Sequence, residues 1–189
     1  MSVAEVFQRI TAALHGADIS YMLTGSFASS SYGAPRTTQD IDLVIEATPE
    51  QLQKLARLLP ETEYYLDLDA ALAAQKRHSL FNVIDQATGW KIDLIIRKDR
   101  PFSEEEFRRR RQATLEGVQI FVASAEDVVL SKLEWARLAH SNRHIVDAAG
   151  ILRLRWELLD RVYLEKWTLA LGLTSEWEDV RRNAGLLGQ

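Results

Sequence analysis

A chain of 189 residues with 47% hydrophobic and 26% charged residues can build one globular domain, with or without a small appendage, on an ordinary core. It has no cysteine, which excludes disulfides, thiolate zinc sites and cysteine nucleophiles. A net charge of −4 argues against a protein whose whole task is gripping nucleic acid by its phosphates. No apolar stretch approaches the length of a membrane span, and the start MSVAEVFQRI lacks a signal-peptide core. No membrane contact and a cytoplasmic location are the expectation.

Along the chain, Val3, Val6, Phe7, Ile10, Ala13 and Leu14 repeat at a helical period. Ser20 to Thr24 reads as a short strand, which Gly25 ends before small residues that can open a helix. Gly33-Ala34-Pro35 is a turn, and Asp40 to Glu46 reads as a strand rich in Ile, Leu and Val. Pro49 starts a second helix, and residues 67–77 form another, with the acidic-aromatic Tyr64, Tyr65, Asp67 and Asp69 at its edge. Leu80 to Ile84 and Lys91 to Ile96 are strands joined by the turn-forming DQATG, a hairpin pattern.

Arg108 to Arg111, with Arg97, Lys98 and Arg100, form the densest positive cluster, read as the solvated face of a charged helix behind Glu104, Glu105 and Glu106. A phosphate-facing surface is the alternative. Val118 to Val122 makes the last strand, and everything from Ser124 is helical in period, with Ser124 as N-cap and Asp127 at capping-box distance. Strands first and helices last give an α/β (α+β) core, residues 1–123, with a mixed sheet, and a helical C-terminal region, residues 124–189. The tryptophans of that region read as core or interface, and the four histidines show no zinc or triad spacing.

Asp40 and Asp42 share one face of their strand, and Asp93 repeats the pattern in KIDLII. Three carboxylates on strands of one sheet require compensating positive charge. Pairing with Arg or Lys, such as Lys91 beside Asp93, is one way; a Mg²⁺ or Mn²⁺ ion on all three is the other, and the one the pattern favours. Upstream, Gly25-Ser26 stands where a strand ends and a helix begins, a position whose free N–H groups and helix dipole attract anions.

Gly25-Ser26, Asp40-Ile41-Asp42 and a later-strand Asp93 together resemble the nucleotidyltransferase superfamily of the DNA polymerase β type. The string GSFASSSYGAPRTTQDIDLVIE is most similar to the bacterial branch that includes AbiEii-like toxins of type IV toxin–antitoxin systems. The resemblance spans roughly residues 18–150 and implies a nucleotidyltransferase fold. It also implies Mg²⁺-dependent transfer of a nucleoside monophosphate from an NTP to an acceptor hydroxyl. Asp40, Asp42 and Asp93 would be the catalytic metal ligands, with Asp93 helping to deprotonate the acceptor. Gly25 and Ser26 would hold the phosphates, with Arg36 near the leaving group. Lys132 would contact the triphosphate, and Asp147, four residues after Arg143, would orient Lys132 or the nucleotide. The expected acceptor is an RNA (tRNA) 3′ end, with a cognate antitoxin as partner. A small molecule such as an antibiotic is the alternative acceptor, and a non-catalytic nucleotide-binding module the alternative from another class.

Overall fold

Ser2 accepts a hydrogen bond from the Glu5 N–H while the Glu5 carboxylate accepts one from Ser2, so a capping box starts helix α1, Val3–Gly16. This is the first element of a computed structural model that describes residues 2–33 and 37–186. Strand β1, Ser20–Leu23, leads into α2, Gly25–Tyr32. Then follow β2, Asp40–Glu46, and α3, Pro49–Leu58, which a second capping box (Thr48 with Gln51) and Pro49 at its first turn initiate. The edge strand β3, Tyr64–Leu66, precedes α4, Leu68–Arg77, capped by Asp67. The expected helix edge at Tyr64 and Tyr65 is therefore a strand, formed because β4 offers it a partner.

The predicted hairpin is present as β4, Leu80–Asp85, and β5, Lys91–Ile96, paired antiparallel. Helix α5, Pro101–Arg108, ends inside the arginine run, and Arg111 already opens β6, Arg111–Leu115, which pairs with β7, Val118–Val122. The expected single helical face of four arginines is thus split between a helix end and a strand. Helices α6, Ala125–Ala139, and α7, Asn142–Arg155, follow. A short 3-10 turn then leads to α8, Arg161–Ala170, and α9, Thr174–Ala184.

The strands make one mixed seven-stranded sheet in the order β3-β4-β5-β2-β1-β7-β6. Two compact units divide the chain: Met1–Thr24 with Thr38–Ala123, and Gly25–Thr37 with Ser124–Gln189. The sheet belongs to the first. There Ile41, Leu43 and Ile45 of β2, with Ile92, Leu94 and Ile96 of β5, are all buried. With Val6, Phe7, Ile10 and Leu14 of α1 and Leu52 and Leu55 of α3 they form its core. Burying each such side chain contributes about 1.5–3 kcal/mol. In the second unit α2 packs on α6 and α7, and α7 on α9. Asp127 anchors this unit: fully buried, it accepts hydrogen bonds from the Tyr163 hydroxyl at 2.5 Å and the Ser124 hydroxyl at 2.6 Å. The Ser124 oxygen in turn accepts the Asp127 N–H.

Candidate active site

Alternation along β2 and β5 sends Ile41, Leu43, Ile92 and Leu94 into the core and leaves Asp40, Asp42, Lys91 and Asp93 on the other, less buried face. The two strands are parallel neighbours, in a register that sets Asp40 opposite Lys91 and Asp42 opposite Asp93. On the far side of β5, Asn82 of β4 is opposite Asp93. On the far side of β2, the Thr24 N–H donates to the Asp42 carbonyl at 2.9 Å. A polar row, Asn82–Asp93–Asp42–Thr24, therefore crosses an apolar sheet, with Asp40 and Lys91 in the adjoining row.

The side chains of this face are bound to one another. Asn82 donates to Asp93 Oδ1. The Lys91 ammonium lies 3.1 Å from Asp93 Oδ2 and 3.7 Å from Asp40 Oδ1. Its hydrogen bond to Asp93, reinforced by the charges of Asp93, Asp40 and Asp42, raises the Lys91 pKa above the ordinary lysine value against a smaller opposing effect of burial. Asp93 is 15% exposed and Asp40 53%, so one acid is held inside the cluster and the other faces water. Thr24 is buried, and among the described residues its hydroxyl has no hydrogen-bond partner.

Among the described residues, no three His, Cys, Asp or Glu side chains converge as a cation-binding group. The donor chemistry still suits a hard divalent ion: carboxylates at register-paired positions, with an ammonium as a stand-in cation between two of them. Lys91 pairs with Asp93 and reaches Asp40, so one ammonium brings positive charge to the acids of this face.

The other candidate residues lie in the helical unit. Gly25 opens α2 at φ +65°, a conformation that L side chains rarely adopt, so glycine is required there. Ser26 follows it in the first turn. Arg36 lies outside the described residues. Lys132 of α6 donates to Asp147 Oδ2 of α7 at 2.8 Å, with the two side chains only 5% and 10% exposed. Arg143 is exposed. His144, one turn before Asp147, has a buried Nδ1 without a hydrogen-bond partner among the described residues, and its ring lies against Trp135, centroids 6.4 Å apart. Burial, then the Lys132 charge, holds the His144 pKa below the usual imidazole value despite the opposing pull of Asp147.

Part of the basic cluster is engaged within the sheet unit. Arg97 pairs with Glu46 at 2.9 Å, Glu105 clasps Arg108 at 2.7 Å, and Arg110 lies over the rings of Phe107 and Phe121. Asn82 and Thr24 escaped the sequence reading. Asn82 could have been found by folding the hairpin about DQATG, which sets it opposite Asp93; Thr24 has no such local signal.

A family model described as nucleotidyltransferase of unknown function (DUF6036) matches residues 2–183. The solved structure of ANT(2")-Ia in complex with adenylyl-2"-tobramycin is similar at 13% identity, over 94% of this chain and 99% of that chain, with a TM-score of 0.58. An antigenic nucleotidyltransferase-like protein from Paracoccidioides brasiliensis is similar at 16% identity, over 98% of this chain and 94% of that chain, with a TM-score of 0.57. At these identities the two structures establish the fold. No protein of curated function matches the chain.

Proposed function

This chain belongs to that family of nucleotidyltransferases of unknown function, and we propose that it transfers a nucleoside monophosphate from an NTP to an acceptor hydroxyl. The observation that carries the reading is the face shared by Asp40, Asp42 and Asp93, with Asp42 and Asp93 directly opposed. The acceptor oxygen attacks the α-phosphorus, the bond from that phosphorus to the pyrophosphate oxygen breaks, and pyrophosphate leaves. Asp93 receives the hydroxyl proton, its carboxylate fixed in orientation by Asn82. Asp40 and Asp42, with Asp93, would hold Mg²⁺ or Mn²⁺, which supplies charge neutralisation at the phosphoryl group and a more acidic acceptor hydroxyl.

For Gly25 and Ser26 the proposed role is phosphate binding through first-turn N–H groups and the serine hydroxyl. Lys132 contributes charge toward the triphosphate, oriented by Asp147. Arg36 is proposed beside the leaving group on the resemblance of its motif alone.

Among acceptors, a small hydroxyl-bearing molecule is supported best. Arg97, Arg108 and Arg110 of the basic cluster are paired or stacked within the chain, and the net charge is −4. A similar fold acts in the antibiotic-linked ANT(2")-Ia over nearly the same length. The RNA 3′ end, with a toxin role and an antitoxin partner, is the second reading, favoured by the Arg36-Thr37-Thr38-Gln39-Asp40-Ile41-Asp42 stretch. The test is incubation with each α-labelled NTP, Mg²⁺ or Mn²⁺, and either total RNA or a metabolite pool. Label in the metabolite fraction supports the first reading and label in RNA the second. No label and no pyrophosphate with any NTP would sink the enzyme reading.

A further inference from the structure

The acids of the candidate site already have a cation among them, and its placement suggests more than a structural ion pair. Lys91 reaches Asp93 on its own strand and Asp40 on the neighbouring one, so its ammonium bridges β5 and β2. Its side chain is 42% exposed on a flexible four-carbon stem, so it can leave the acids without any movement of the backbone. Removing the ammonium takes a positive charge away from the carboxylates of Asp40 and Asp93.

We propose that Lys91 is the built-in counter-ion of this site, competing with a divalent cation for Asp40 and Asp93 and thereby setting how tightly the site takes up metal. The inference rests on the nucleotidyltransferase reading of the acids. Lys91 is a positioning residue: with the metal away it holds the acids at their register positions, and it yields them when two positive charges replace its one. The cost of displacing it limits metal affinity.

Mn²⁺ binding without nucleotide, followed by calorimetry and by loss of the free-ion resonance signal, tests this on the wild type and on Lys91→Gln, Lys91→Met, Lys91→Arg and Asp42→Asn. Lys91→Gln and Lys91→Met should melt lower without metal yet bind Mn²⁺ on the order of tenfold tighter, because a repelling charge a few ångströms away is gone. Lys91→Arg, which keeps the charge, should bind as the wild type does. If either neutral variant folds and binds Mn²⁺ no more tightly than wild type, the counter-ion role falls. That role falls alone if Asp42→Asn still abolishes binding. If neither wild type nor the neutral variants bind Mn²⁺ at millimolar concentration, the carboxylate site and the counter-ion fall together.

Discussion

Asp42 and Asp93 face each other across the parallel strands β2 and β5, yet their surroundings differ. Asp93 is gripped by Asn82 and Lys91, whereas Asp42 lies one strand further along the row, beside Thr24. Losing Asp93 therefore strips two partners of their acceptor. In metal-free buffer, Asp93→Ala should lower stability by about 1–3 kcal/mol, the cost of partners left without an acceptor. Urea melts of the variant beside the wild type decide; an unchanged stability would show that Asn82 and Lys91 do not depend on this acid.

Binding and chemistry should separate at the same pair. If Asp93 receives the acceptor proton, Asp93→Asn leaves NTP affinity within a few-fold of wild type and cuts transfer by about a hundredfold or more. Asp42→Asn should harm both and should remove any rise in melting temperature produced by Mg²⁺ with NTP. Calorimetry beside a transfer assay on one preparation gives the answer, and near-normal transfer by Asp93→Asn would return it to a purely structural place beside Lys91.

Lys132 and Asp147 make a nearly buried pair, so substitution there registers in stability before it registers in nucleotide affinity. Lys132→Ala should cost on the order of 3 kcal/mol, since it takes the opposite charge from a carboxylate in a poorly solvated place. Lys132→Met combined with Asp147→Leu should cost less than either single change, because both charges are then removed together. A double-mutant cycle showing simple additivity would mean that the pair contributes little.

His144 predicts a pH dependence with a definite sign. Its folded pKa lies below the unfolded value (about 6.5), so the unfolded chain binds its proton first as pH falls. The charged groups acting on it are Lys132, Arg143 and Asp147. Stability should be fully present above the unfolded value, decline as pH drops below it, and level off beneath the folded one. His144→Phe should flatten that decline in melts between pH 7 and pH 5, and an unchanged slope would place the titrating group elsewhere.

Much of this was written locally. The first helix follows from the helical period that begins at Val3. The helices announced by Pro49 and Ser124, the hairpin around DQATG and the one-face placement of Asp40 and Asp42 follow from capping and turn chemistry and a side-chain period of two. Strand β3 was not legible, because three residues carry no periodicity and become a strand only when β4 supplies hydrogen-bond partners. The arginine run misled for a related reason: α5 stops at Arg108, and the pairing of Arg111 with Val122 then imposes a strand.

The amino-acid sequence by itself determined which acids could act together, because spacing of two on a strand fixes the face whatever the strand pairs with. Tertiary structure alone decided that β2 lies beside β5, that Asp42 therefore meets Asp93, and that Lys91 bridges Asp93 to Asp40. It likewise decided that Lys132 is buried against Asp147 rather than solvated. Periodicity reports the faces of one element; which faces meet is a property of pairing between segments some fifty residues apart, Asp42 and Asp93 among them, and local composition carries no record of it.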